Sequence, residues 1–127
     1  MYPLSFSGLS ADLFVNRITN YNPVTADNLK KMTNNITSVT ENILPGEKID
    51  CVVYGCTSGT IVSGYDSIKK KINIAKPDAL VTAPSTAALN ALKKKNIKKI
   101  SIVTPYIKSV NDDVVNFFKN NNFEITS

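Results

Sequence analysis

The sequence predicts an α/β fold: a mostly parallel sheet with flanking helices, in three layers. Three observations carry this expectation. Short apolar runs alternate with stretches whose apolar residues recur every three or four positions, the strand–helix order that builds a parallel sheet wrapped by helices. Turn residues such as Pro45-Gly46 and Lys76-Pro77-Asp78 punctuate the alternation. The run Cys51, Val52, Val53 and Tyr54 is apolar and β-branched without polar alternation, as in a strand covered on both faces. By length the 127 residues form one lobe, residues 1–127, large enough to bury a core without disulfides or a metal.

Residues 1–9 are turn-rich and uninformative, whereas Ala11 to Val15 reads as a short strand ending in Asn16 and Arg17. Thr25 is placed to cap a helix, with Asp27 in its first turn. Along that helix Leu29, Met32, Ile36, Val39 and Ile43 form one apolar stripe that Pro45-Gly46 ends. After the strand at 51–54, Gly55 breaks the run. Ile61, Val62, Tyr65, Ile68 and Ile72 then follow one helix face. Ala79 to Thr82 reads as a strand, and Ser85 or Thr86 as the cap of a helix reaching about Lys95. Ile97 to Val103 is a further strand. Ser109 with Asp112 has the spacing of a capping box, opening a helix that buries Val110, Val114 and Phe117 or Phe118. The asparagines at 120–122 close it, and Phe123 to Thr126 forms a last strand.

Composition narrows the function. The net charge of +5 and pI near 9.2 raise a nucleic-acid reading. The lysine clusters at 69–71, 93–95 and 98–99 instead fall near predicted helix ends and in loops, where they favour the helix dipole and solvate the surface. Aromatic residues do not interleave with them as a base-stacking surface requires, so nucleic acid is not an expected partner. The start of the chain lacks a basic leader and a sustained apolar stretch, and no segment has the length to span a membrane. Cys51 and Cys56 sit at opposite ends of one strand and turn, poorly placed to pair, which fits free thiols in the cytoplasm. Histidine is absent, which excludes a Cys–His dyad and histidine metal ligands within the chain.

Chemistry concentrates where strands end, since ligands of open α/β sheets sit beyond the carboxyl ends of the strands. Three such ends carry polar groups: Asn16-Arg17, Cys56-Thr57-Ser58 and Thr104-Pro105-Tyr106. The turn at Cys56 is the strongest of these, because a helix N-terminus with two hydroxyls suits a carboxylate and the same dipole favours a thiolate. Each residue also has a plain structural reading. Cys56 is of a type often buried for packing, Thr57 and Ser58 can be helix caps, Asn16 can make a turn, and Tyr106 can cover the sheet edge.

Taken together, the motifs resemble a known family. Tyr-Gly-Cys-Thr-Ser-Gly-Thr at 54–60 follows an apolar strand. It is preceded by Asn-Pro-Val-Thr-x-x-Asn-Leu and followed by Ala-Pro-Ser-Thr-Ala-Ala-Leu and Val-Thr-Pro-Tyr-x-x-x-Val-Asn. In this order they are similar to the aspartate/glutamate racemase superfamily, in its branch of arylmalonate decarboxylases, maleate cis–trans isomerases and ectoine-utilisation proteins. The resemblance covers roughly residues 11 to 127. It implies a flavodoxin-like racemase lobe and cofactor-independent chemistry on a small mono- or dicarboxylic acid held between two similar lobes. By position it implies Cys56 as the catalytic thiol, attacking a double bond or exchanging a proton beside a carboxylate. Thr57 and Ser58 would bind the carboxylate or enediolate, Tyr106 would add a hydrogen bond, and Asn16 would sit near the site.

The chain also departs from that family. Members are about twice as long, with a first strand before the segment like 11–17 and a second lobe, carrying a partner cysteine, after the segment like 123–127. Both are expected to be missing here, and Cys51, at the far end of the same strand, cannot replace the partner. An absent inner strand leaves apolar edges that need covering, so self-association or a missing second lobe is expected. The competing expectation is a truncated, non-catalytic lobe that binds carboxylates or a partner chain.

Overall fold

Strands and helices alternate from Ala26 onward in the computed structural model, which describes residues 2–6 and 9–126, with side chains from Ala11. Strand β1 (Tyr2–Phe6) pairs antiparallel with β2 (Leu9–Leu13). The sequence reading differs here on two counts: part of the stretch taken as turn-rich is a strand, and the strand expected at 11–15 ends at Leu13. Positions 1, 7 and 8 lie outside the described residues.

Helix α1 (Ala26–Met32) opens as expected, with the Thr25 hydroxyl accepting the Asn28 N–H at 3.3 Å. A short 3-10 turn at Thr33–Asn35 links it to α2 (Ile36–Glu41), so the single helix read from the stripe is two. The stripe still faces inward: Leu29, Met32 and Ile36 are buried, and Val39 and Ile43 half-buried.

Strand β3 (Cys51–Val53) pairs parallel with β4 (Leu80–Thr82), matching Cys51 to Leu80 and Val53 to Thr82. Between them run α3 (Thr57–Ser63) and α4 (Tyr65–Ala75). One helix was expected. Gly64, at φ +80°, occupies a conformation that disfavours side chains and divides the helix in two. Helix α5 (Pro84–Lys94) starts at Ala83, not at Ser85 or Thr86. Thr86 reaches back instead, its Oγ1 accepting the Ala83 N–H at 3.2 Å, while proline fills the first helical position.

Strand β5 (Lys99–Ile100) pairs parallel with β6 (Glu124–Ile125), and α6 (Lys108–Asn120) connects them. The strand expected over 97–103 is shorter because ladder bonds need a neighbour, and β6 registers with only two of its residues. The Ser109–Asp112 capping box does not form. Ile107 is the cap position, Ser109 lies inside the helix, and Asp112 pairs with Lys108 at 2.7 Å. Phe117, Phe118 and Phe123 meet edge to face at 5.1 and 5.9 Å and seal α6 against β6.

The core lies on one face of β3, where Val52 and Tyr54 meet Leu29, Met32, Ile36, Ile68, Ile72 and Val110. On the other face Val53 is 63% exposed and Leu80 73%, so β3 is covered on one face and not on both. The lysines are less uniform than their clustering suggests. Lys69 to Lys71 fall within α4 away from its end, and Lys71 Nζ donates to the Thr33 carbonyl at 3.0 Å. Lys76 is buried, its Nζ donating to the Leu44 and Glu47 carbonyls at 2.8 Å each. No helix among the described residues is long and apolar enough to cross a membrane.

Candidate functional site

The Cys56 turn begins where the β3–β4 ladder ends. Tyr54 N–H makes a last rung to the Thr82 carbonyl at 2.9 Å, and Cys56 N–H then folds back onto the Tyr54 carbonyl at 2.8 Å. Cys56 stays extended and becomes the N-cap of α3. Its Sγ accepts the Gly59 N–H at 3.3 Å, and its carbonyl accepts the Thr60 hydroxyl at 2.6 Å and the Thr60 N–H at 3.1 Å. The capping role that the sequence offered to Thr57 or Ser58 therefore belongs to the cysteine. A sulfur cap is a weak acceptor as a thiol and a stronger, charge-assisted one as a thiolate.

Around the sulfur the packing is close. A Cβ built on Gly59 would lie 2.8 Å from Cys56 Sγ, 3.0 Å from the Tyr54 hydroxyl and 3.1 Å from the Met32 methyl, so any larger residue forces these side chains to shift. Tyr54 is 7% exposed, and its hydroxyl is buried without a well-formed hydrogen bond among the described residues. An unsatisfied buried hydroxyl costs about 1–3 kcal/mol. Burial first, then the charge of an ionised Cys56 and hydrogen bonding with it, hold this phenol well above its ordinary pKa of 10.0.

Cys56 opens onto a cavity of about 220 Å³ lined also by Asn16, Val39, Thr40, Tyr54 and Ile72. That volume lies below the roughly 300–1,000 Å³ of pockets for drug-sized molecules and suits a small ligand. A cavity of about 250 Å³ between residues 46–49 and 75–79 offers less chemistry. Its Lys76 is held by carbonyls, and its Lys48 pairs with Asp78 at 3.6 Å.

The structure thus brings Cys56 and Asn16 to one cavity. Asn16 is exposed and engaged, its Nδ2 donating to the Val39 carbonyl at 3.0 Å and its Oδ1 accepting the Arg17 N–H at 2.8 Å, as the turn reading requires. Thr57 and Ser58 form the first turn of α3 without lining the cavity; Ser58 is buried with its Oγ 4.0 Å from Sγ. Tyr106 is half-buried against the core and likewise does not line it. Both cysteines are free thiols, Cys51 exposed and Cys56 half-buried.

Sequence reasoning missed Tyr54, Gly59 and Thr60. Tyr54 was absorbed into the apolar strand, although a tyrosine two residues before a thiol carries a hydroxyl that must end somewhere. Gly59 left a readable signal, because a glycine within the first turn of a helix asks for a packing reason.

No family model matches the chain, and no curated protein matches its sequence. Solved structures do match. The maleate isomerase Iso from Pseudomonas putida S16, in a cysteine-to-alanine variant with maleate, superimposes with a TM-score of 0.72 at 19% identity over 82% of this chain and 44% of its own. The Nocardia farcinica maleate cis–trans isomerase bound to TRIS gives 0.69 at 19% identity over 81% and 44%. A cysteine-to-serine variant of the Nocardia farcinica enzyme, with a covalently bound succinylcysteine intermediate, gives the same values. The likeness is one of fold, and the chain spans less than half the length of these structures.

Proposed function

We propose that this chain supplies a cysteine-bearing site for cofactor-independent isomerisation, racemisation or decarboxylation of a small mono- or dicarboxylic acid. Cys56 is the catalytic thiol. The observation that carries this reading is Cys56, whose sulfur caps α3 just after β3 and which lines a cavity of about 220 Å³, within the fold of maleate isomerases. In the isomerase version the thiolate adds to one alkene carbon of a cis-dicarboxylate. An S–C bond forms, the π pair moves to the neighbouring carbon, and the adjacent carboxylate spreads that charge. Rotation about the resulting single bond and expulsion of the thiolate give the trans acid. In the racemase or decarboxylase versions the carbon beside the carboxylate first loses its proton to a second base, or a carboxyl group as CO2, leaving an enediolate, and the Cys56 thiol then protonates that carbon and becomes a thiolate. Asn16, the start of α3 at Thr57 and Ser58, and Tyr106 are proposed as substrate-binding groups.

A second reading is a non-catalytic lobe that binds a carboxylate or a partner chain. The uncovered face of β3 and β4, with Val53 and Leu80 exposed, favours it. Alkylation of Cys56 by iodoacetamide in a Cys51→Ser background tests the site itself. Succinate is expected to slow the reaction and its dimethyl ester to leave it unchanged. Equal rates under the two additions contradict a carboxylate site at Cys56.

A further inference from the structure

We propose that Tyr54 is a positioning residue for the Cys56 sulfur, donating its hydroxyl proton to the ionised thiol and forming with the Gly59 N–H a two-donor cradle. This rests on the reading of Cys56 as a reactive thiol but concerns how the thiolate is held, whatever the substrate. Three observations converge. The hydroxyl is buried and makes no well-formed hydrogen bond among the described residues, an arrangement that native structures rarely leave without use. It lies near the sulfur, since a single added atom on Gly59 would lie 2.8 Å from Sγ and 3.0 Å from the phenol oxygen. The third wall at that point is the Met32 methyl, 3.1 Å away, which offers no competing hydrogen bond.

Charge supplies the reason for the pairing. Burial and the adjacent thiol raise the Tyr54 pKa, so the phenol keeps its proton where a thiol ionises and stands ready as a donor. A thiolate accepts more than one hydrogen bond, and the Gly59 N–H supplies the first at 3.3 Å. Ionisation of Cys56 gives the Tyr54 hydroxyl the acceptor it otherwise lacks.

The test is the pH profile of Cys56 alkylation by iodoacetamide, in a Cys51→Ser background, for otherwise native protein, Tyr54→Phe and Gly59→Ala. Tyr54→Phe keeps the ring and removes only the donor. Gly59→Ala keeps the donor and drives a methyl between hydroxyl and sulfur. The midpoint is expected to move up by about one pH unit in Tyr54→Phe, the size expected for losing a hydrogen bond to a charged group, and in the same direction in Gly59→Ala. An unchanged midpoint in Tyr54→Phe overturns the proposal. Should Tyr54→Phe fold poorly, as judged by circular dichroism, the Gly59→Ala profile decides, and an unchanged midpoint there overturns it equally. Protection by succinate is read separately: lost protection with a shifted midpoint removes the carboxylate reading and leaves Tyr54 in place.

Discussion

The Tyr54 hydroxyl and the Cys56 sulfur both flank the Gly59 backbone, within 3.0 and 2.8 Å of the position a Cβ would take there. A strand residue and a helix cap thus share one contact point, which makes the end of β3 sensitive to small changes in volume and proton count.

Gly59→Ala is expected to destabilise the fold. Alanine is intrinsically better in a helix by about 1 kcal/mol. Overpacking by one carbon costs about 1–3 kcal/mol, and here all three neighbours are held by hydrogen bonding or burial. Chemical denaturation should show a net loss of up to about 2 kcal/mol; a gain would mean that the sulfur and ring move aside freely.

Stability should also fall in alkali because of Tyr54. Its folded pKa lies above the unfolded value of 10.0, so above that pH the unfolded chain releases a proton that the folded chain retains. The associated stability is complete below pH 10.0 and is lost as pH rises through the folded value. Denaturation midpoints measured from pH 9 to 11 should decline more steeply in the native protein than in Tyr54→Phe.

Lys76 holds an unusual turn. Its buried ammonium donates to the carbonyls of Leu44 and Glu47, and Leu44 adopts φ +45°, a region that side chains disfavour. Lys76→Met keeps the buried stem and removes both donors. A loss of about 2–3 kcal/mol by urea denaturation is expected, whereas an effect within 0.5 kcal/mol, as at ordinary surface sites, would show the turn to be self-supporting.

The uncovered face of β3 and β4 should drive association. Val53 and Leu80 are 63% and 73% exposed on neighbouring parallel strands, and such apolar faces are commonly covered by a partner. Sedimentation velocity should show a concentration-dependent species that Val53→Lys with Leu80→Lys disperses; a monomer at all concentrations for the native chain contradicts this.

Much of this architecture was legible because periodicity survives local irregularity. The stripe Leu29, Met32 and Ile36 identified its buried face even though Thr33–Asn35 interrupts the helix, and Thr25 capped it as read. What escaped was decided by neighbours. Gly64 splits a helix whose apolar pattern runs on unbroken, and Ser109 loses its cap because the extended backbone at Ile107 starts the helix earlier. The one-sided burial of β3 was illegible for the same reason, since its residues would suit either environment. At the site, the spacing of Cys56 after the strand put it at the strand-to-helix turn, and the residue lines a cavity there. No local pattern could place Tyr106 or tell which hydroxyl lies against the sulfur.

The most direct measurement is turnover of maleate, aspartate enantiomers and arylmalonate by the native chain and by Cys56→Ala. The account predicts conversion of at least one of these acids by the native chain and a fall of two orders of magnitude or more, on the order of 3 kcal/mol in the barrier, in the variant. Equal rates in the two proteins, including no conversion by either, contradict it.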